Sequence, residues 1–178
     1  MSIEQRLRAL EDRAQIQDLL VRYAVLLDDC RWDDLAQLFT ADAVFASPNS
    51  STVGRAAVIE NFKVKHAPWG FTLHDPHASV ITVFDDNHAQ GTVIGYAELA
   101  NPDSTLVTFI RYQDDYRREE GAWRFAARHV LSSYGMTTSD YVAGMVGQHE
   151  RKRWPNRPLG AAELPDIEGR YPGYLGLS

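Results

Sequence analysis

A single cysteine, Cys30, stands in 178 residues, so no disulfide can close within the chain and a reducing compartment is expected. A chain of this length buries roughly two-thirds of its unfolded surface, so it needs neither cross-links nor a structural metal. Positive charge is also in short supply. Eighteen Lys and Arg stand against 24 Asp and Glu, a net charge of −6, which excludes the basic footprint of a general nucleic-acid binder. No segment approaches the ~20 apolar residues of a membrane span. The opening MSIEQRLRALEDRAQIQDLL is charged and amphipathic, without the apolar run and cleavage site of a signal peptide. The expectation is a cytoplasmic protein with neither membrane nor nucleic acid as partner. GxSxG, GxGxxG and P-loop motifs are absent too, so serine hydrolase, dinucleotide and nucleotide chemistry lack support. Apolar residues make up 44% and charged residues 24%, which fits one ordinary globular domain.

What is present has a clear order. Residues 3 to 28 carry a helical period, with Ile3, Leu7, Leu10, Ala14, Ile16, Leu19, Leu20, Tyr23, Leu26 and Leu27 mainly on one broad stripe. The pattern predicts a second helix over Trp32 to Phe39, a short strand at Val44-Phe45-Ala46, and a loop over 47–51. Gly54 precedes a third helix from Arg55 to about His66, which Pro68 and Gly70 end. From Thr72 the period becomes two, predicting strands near 72–84, 89–100, 104–117 and 122–134 with turn-rich pieces between them. Helices first and an antiparallel meander after them imply an α+β fold with helices packed on one sheet face. After Tyr134 a helix is predicted from Asp140 to Arg153. The reading therefore divides the chain into an α+β cone over 1–134 and an extension over 135–178, which serves as a lid or a subunit-wrapping arm.

The run Tyr23-Ala24-Val25-Leu26-Leu27-Asp28, then Trp32, then Leu38 to Phe45, resembles the opening of SnoaL-like proteins of the nuclear transport factor 2-like superfamily. Gly54-Arg55 and the stretch Tyr116 to Phe125 continue the likeness, which covers about residues 8 to 134. The resemblance implies a cone-shaped, curved antiparallel sheet packed against three N-terminal helices. Within the superfamily the chain most resembles scytalone dehydratase, bile-acid 7α-dehydratase and hexachlorocyclohexane dehydrochlorinase. Those lyases pair an Asp at the end of the first helix with a His at the start of the first long strand, positions that Asp28 and His74 match. The dehydratases also place a Tyr where Tyr23 stands. The chain departs from the pattern at Ala78, where an Asn is common, and in carrying a second histidine, His77. The related lyases are commonly trimers, which implies a homo-oligomer here, with a trimer favoured.

Imidazole titrates near neutrality, and a carboxylate beside it fixes its tautomer, so a His–Asp pair suits removal of a proton next to a carbonyl or leaving group. A phenol at Tyr23 would donate a hydrogen bond to a developing oxyanion. The plainer alternative makes Asp28 a helix-end residue, His74 a strand-start residue and Tyr23 core. Tyr23 and Asp28 lie about 140° apart around a helix, so they flank one pocket only if the helix crosses it obliquely. His77 competes with His74 as base. The His74-x-x-His77 spacing also raises a metal site, which opposite strand faces disfavour and no further ligand motif completes.

Arg128 is a candidate for binding an anionic group. It shares strand parity with Arg124, opposite to Trp123, Phe125 and Ala127, and pattern alone does not say which face lines the pocket. Arg124 reads as solvent-facing, Cys30 as packing, and Arg151-Lys152-Arg153 as a solvated helix end or subunit contact. His77, Phe39, Trp69 and Phe71 are candidate substrate-binding residues, and Phe62, Tyr96 and Met145 are further candidates to line an apolar pocket. The leading expectation is a lyase without cofactor or metal, acting on a small hydrophobic substrate. A SnoaL-like cyclase or ketosteroid-isomerase-like enzyme, and a non-catalytic binding module or small dioxygenase subunit, are the alternatives.

Overall fold

The computed structural model describes residues 2–143, 150–154 and 158–164. Helix α1 (Ile3–Asp28) begins at a capping box: Ser2 Oγ accepts the Gln5 N–H, and the Gln5 side chain accepts the Ser2 N–H. The predicted apolar stripe of α1 is two stripes. Ile16, Leu19, Leu20, Tyr23 and Leu27 are buried, whereas Ile3, Leu7 and Leu10 are exposed because α1 buries residues only from Asp12 onward. Asp12 is itself buried, accepting from Arg118 and from Trp123 Nε1 (3.2 Å), and so ties α1 to the far end of the sheet.

Helix α2 (Trp32–Ala36) stops short of the predicted Phe39. Phe39 instead opens strand β1 (Phe39–Ser47), held by pairing with Phe125. The predicted loop over 47–51 shrinks to Pro48 and Asn49, because Ser47 ends β1 and Ser50 and Ser51 open strand β2 (Ser50–Val53), turned back on β1. Helix α3 (Arg55–His66) starts after Gly54, whose φ of 94° suits a residue without a side chain. The long strands follow as β3 (Phe71–Val83), β4 (His88–Ala100), β5 (Thr105–Glu119) and β6 (Ala122–Thr137). Glu120 and Gly121 both have positive φ and make the two-residue β5–β6 turn.

The six strands form one curved, unclosed sheet in the order β2-β1-β6-β5-β4-β3. All neighbours are antiparallel except β1 and β6, a parallel pairing that the predicted meander does not contain. Helices α1 and α3 cover one face, and the core joins Leu20, Tyr23, Phe39, Phe62, Tyr116 and Phe125 among others. Among the described residues no helix is long and apolar enough to cross a membrane.

Past Tyr134, β6 continues to Thr137, so the predicted boundary at 134 falls inside a strand. Helix α4 spans only Thr138–Ala143. Residues 150–154 are not helical, and Met145 lies outside the described residues. Lys152 bridges to Gly135 and Gly160 and pairs with Glu163 (2.5 Å), while Arg153 pairs with Asp140 (3.1 Å). These basic residues are thus spent on contacts within the chain.

Candidate active site

Helix α1 ends where the site begins. Cys30 takes a left-handed φ of 54°, its N–H bonds the Leu27 carbonyl, and the Arg31 N–H reaches back to the Leu26 carbonyl. This is the Schellman arrangement that glycine usually serves. Cys30 is therefore an exposed turn residue and not the packing residue expected. The turn leaves Asp28 at the last position of α1, facing the start of β3.

Three donors of β3 converge on that carboxylate. Thr72 Oγ1 donates to Oδ1 (2.8 Å), the His74 backbone N–H donates to Oδ2 (2.7 Å), and His74 Nδ1 lies 2.6 Å from Oδ1. Burial pulls the Asp28 carboxyl upward, but these hydrogen bonds and the His74 charge outweigh it and hold the group below its ordinary value. An ionised carboxylate only accepts, so the Nδ1–H is the donor, and when the ring carries one proton Nε2 is the free, basic nitrogen of His74. The two side chains are nearly buried, at 14% and 16% exposure.

His66, at the end of α3, backs this pair. Its ring lies 5.8 Å from that of His74 and meets Trp32 edge-on at 5.7 Å. Nδ1–H donates to the Phe62 carbonyl (3.0 Å), and Nε2 is buried without a hydrogen-bond partner. Burial, with the His74 charge, outweighs that bond and holds His66 below the ordinary histidine range. It is a neutral ring.

His74 opens onto a cleft between α1 and the sheet, where Leu20, Tyr23, Ile110, Tyr112 and Arg128 also line the wall. The cleft holds ≈ 10 Å³, about one water molecule. A larger depression, ≈ 650 Å³, lies at the β3–β4 turn among Asp85, Asp86, Asn87, His88 and Arg117 and contains none of the predicted site residues. Among the described residues, only the smaller cleft brings an oriented base and a buried cation together.

Tyr23 is a core residue that also faces the cleft: its ring packs edge-on against Phe39, Phe62, Tyr112 and Phe125. Burial pushes its phenol up to about 12, with Arg128 pulling the other way, so it remains a hydrogen-bond donor.

Arg128 is fully buried. Its Nε and Nη2 fork onto Asp114 Oδ1 (2.9 Å) and Oδ2 (2.7 Å), and Tyr116 donates to the same carboxylate (2.8 Å). The guanidinium sits 4.1–4.3 Å from the ring centres of Tyr23, Tyr112 and Phe125. Burial opposes its charge, but Asp114 overcomes this and holds the group well above its ordinary value. Nη1 is the nitrogen that Asp114 does not take. The strand-parity argument fails here for a physical reason: Asp115 pairs with Ala127 but Tyr116 with Phe125, so Ala126 is bulged out and Phe125 and Arg128 come to the same side. Arg124 is not free in solvent but donates to the Gln37 carbonyl and to Glu120.

Of the remaining predicted residues, Tyr96 lines the cleft beside Asp75 and Pro76, and the others lie elsewhere. His77 sits at a bulge in β3, pairs with Asp75 (3.3 Å) and stacks on Tyr96 and Phe109. Phe109 stands one row from the His74–Ala97–Thr108 row and so on the opposite sheet face. Phe39 and Phe62 are core, Phe71 is 53% exposed, and neither Phe71 nor Trp69 lines the cleft. Among the described residues no cluster of His, Cys, Asp or Glu suits a metal ion. Sequence reasoning missed Thr72, His66 and Asp114. Thr72 shares strand parity with His74 and was accessible to that argument; the other two depend on contacts distant in sequence.

The SnoaL-like domain family matches residues 8–129. The chain is similar to a protein provisionally named a scytalone dehydratase from Novosphingobium aromaticivorans (20% identity, TM-score 0.69, covering 72% of this chain and 89% of that one). It is similar to the hexachlorocyclohexane dehydrochlorinase LinA-type3 from Novosphingobium barchaimii (18%, 0.69, 80% and 99%). A protein provisionally named an aromatic ring hydroxylase, also from N. aromaticivorans, aligns at 26% identity and TM-score 0.67 over 74% of this chain and 96% of that one. No functionally curated protein matches.

Proposed function

This chain belongs to the SnoaL-like domain family, and we propose that within it the chain is a lyase of the dehydratase or dehydrohalogenase type, acting on a small apolar substrate. The observation that carries the reading is the 2.6 Å contact from His74 Nδ1 to the Asp28 carboxylate, which leaves Nε2 as a base beside the cleft. Nε2 takes a proton from the carbon next to a carbonyl, and the C–H electron pair moves onto the carbonyl oxygen. The Tyr23 phenol donates to that oxyanion. When the electrons return, the bond to a hydroxyl or halide on the adjacent carbon breaks and a double bond forms. Arg128 Nη1 receives the departing anion, and a departing hydroxide takes back the proton that His74 holds. The reaction so written uses only side chains of the chain itself.

A cleft with room for one water has to widen to admit a substrate, so binding is expected to move side chains on its walls. The test is incubation of the purified chain with small β-hydroxy carbonyl and β-halo carbonyl compounds, followed by mass spectrometry. Loss of water or hydrogen halide supports the reading, whereas a product of unchanged mass indicates an isomerase. His74→Ala is expected to lower turnover by about 10²–10⁴-fold. A fully active, folded His74→Ala protein would overturn the assignment.

A further inference from the structure

Helix α1 carries a second apolar stripe that its own body leaves uncovered. At about 100° per residue, Ile3, Leu7, Leu10, Ala14, Val21 and Val25 fall within about 60° of one another, and the buried stripe of Ile16, Leu19, Tyr23 and Leu27 lies roughly opposite. Ile3 is 80% exposed, Leu10 62%, Leu7 and Val21 55%, and Val25 50%. Residues 2–8 are all exposed, and α1 buries nothing before Asp12. Isolated helices of two or three turns are marginal in water, so an apolar stripe that begins on such turns needs a surface to lie against.

The spacing and the flanking charges specify that surface. Positions 3, 7, 10, 14, 17 and 21 alternate steps of four and three, the seam of a two-helix coiled coil, with Gln17 its one polar member. One flank carries Arg6 and Arg13; the other carries Glu4, Glu11 and Asp18. All five are exposed, and Arg6, Arg13, Glu11 and Asp18 make no ion pair among the described residues. In a parallel pair, a residue just before one seam position meets the residue five further on in its partner. That brings Arg6 to Glu11 and Arg13 to Asp18, twice over by symmetry. An antiparallel pair would set arginine against arginine and acid against acid.

We propose that this face of α1 docks on α1 of a second copy of this chain, parallel and in register. The acidic flank and the net charge of −6 disfavour an anionic lipid surface as the occupant. The contact is separate from the outer sheet face, and it pairs protomers by a two-fold axis along the helix.

The experiment is a charge exchange on the full chain. Light scattering should give the parent an even multiple of the protomer mass. Arg6→Glu/Arg13→Glu makes both flanks acidic, and Glu11→Arg/Asp18→Arg makes both largely basic. Each variant should run at half the parent mass, with its dissociation constant raised about tenfold or more, a free-energy change of ~1.4 kcal/mol. An equimolar mixture should regain the parent mass, and native mass spectrometry should find one copy of each variant per pair. Unchanged circular dichroism spectra separate lost docking from lost folding, and Leu10→Glu supplies a second, charge-independent variant. A monomeric parent, an odd multiple, variants that keep the parent mass, or a mixture that fails to reassociate overturns the proposal. So does a monomer that floats with anionic vesicles.

Discussion

The buried, neutral ring of His66 makes the site sensitive to acid. The unfolded chain binds a proton at this histidine near pH ~6.5, whereas the folded chain resists until a lower pH because the ring is buried and lies beside His74. The folded pKa is depressed, so the stabilisation is present above ~6.5 and is lost as pH falls toward the folded value. Asp28 is depressed as well, but its stabilisation is lost only below the ordinary carboxylate pKa of ~3.9, so the two windows are separate. The melting temperature is expected to fall between pH 7 and pH 5, and less steeply in His66→Asn than in the parent. Equal slopes in the two proteins would assign the acid sensitivity to another group. At the same scale, Tyr23→Phe removes a donor and keeps the ring. It is expected to lower turnover by about 10–10³-fold with little change in melting temperature.

Among the elements, pairing between β5 and β6 decides what Arg128 is. Asp114 and Arg128 are register partners across that pair, so each charge is compensated only after two strands 14 residues apart are in place. Asp114→Asn leaves a buried guanidinium half-compensated and is expected to cost about 3–5 kcal/mol in denaturant unfolding. The double variant Asp114→Leu/Arg128→Met removes both charges, should regain most of that loss, and should still be inactive. If the double variant were active, Arg128 would be a structural residue alone.

The same strand pair marks the limit of what the sequence discloses. Strands β3 to β6 were legible because the apolar period of two is local, and Asp28 with His74 was legible through the family likeness. The bulge at Ala126, the parallel β1–β6 pairing and the partner of Arg128 were not. Each is fixed by a backbone or side-chain contact between segments that carry no local signal of it. The misplaced aromatics share that cause: Phe39 and Phe71 are alike in composition and neighbourhood, and only the sheet's course buries one and exposes the other.

For the whole molecule, the question is whether the chain past the cone is an appendage. Residues 158–164 return along β6: the Glu163 N–H bonds the Ser132 carbonyl, and Glu163 Oε2 accepts the Ser132 N–H (2.9 Å). Ala162 and Leu164 are buried there, and Trp154 lies against Gly135 so closely that a Cβ would stand 2.9 Å from its ring. Ala162, Leu164 and the Glu163–Lys152 pair therefore belong to the core's energetics, whatever the tail does for the cleft. The boundary itself is set by β6, whose last residues Gly135, Met136 and Thr137 pair with Thr108, Val107 and Leu106. A chain ending at Thr137 keeps those rows and loses helix α4 and the returning segment 158–164. One ending at Tyr134 also loses three ladder rows and uncovers Leu106, Val107 and Thr108, all buried in the full chain. The melting temperature is thus expected to fall in two steps, first from the full chain to 1–137 and then, more steeply, to 1–134. Calorimetry on the three chains measures both steps. If 1–137 melted with the full chain, helix α4 and the returning segment would contribute nothing to stability. If 1–134 matched 1–137, β6 would end functionally at Tyr134 and the cone would be a separable unit.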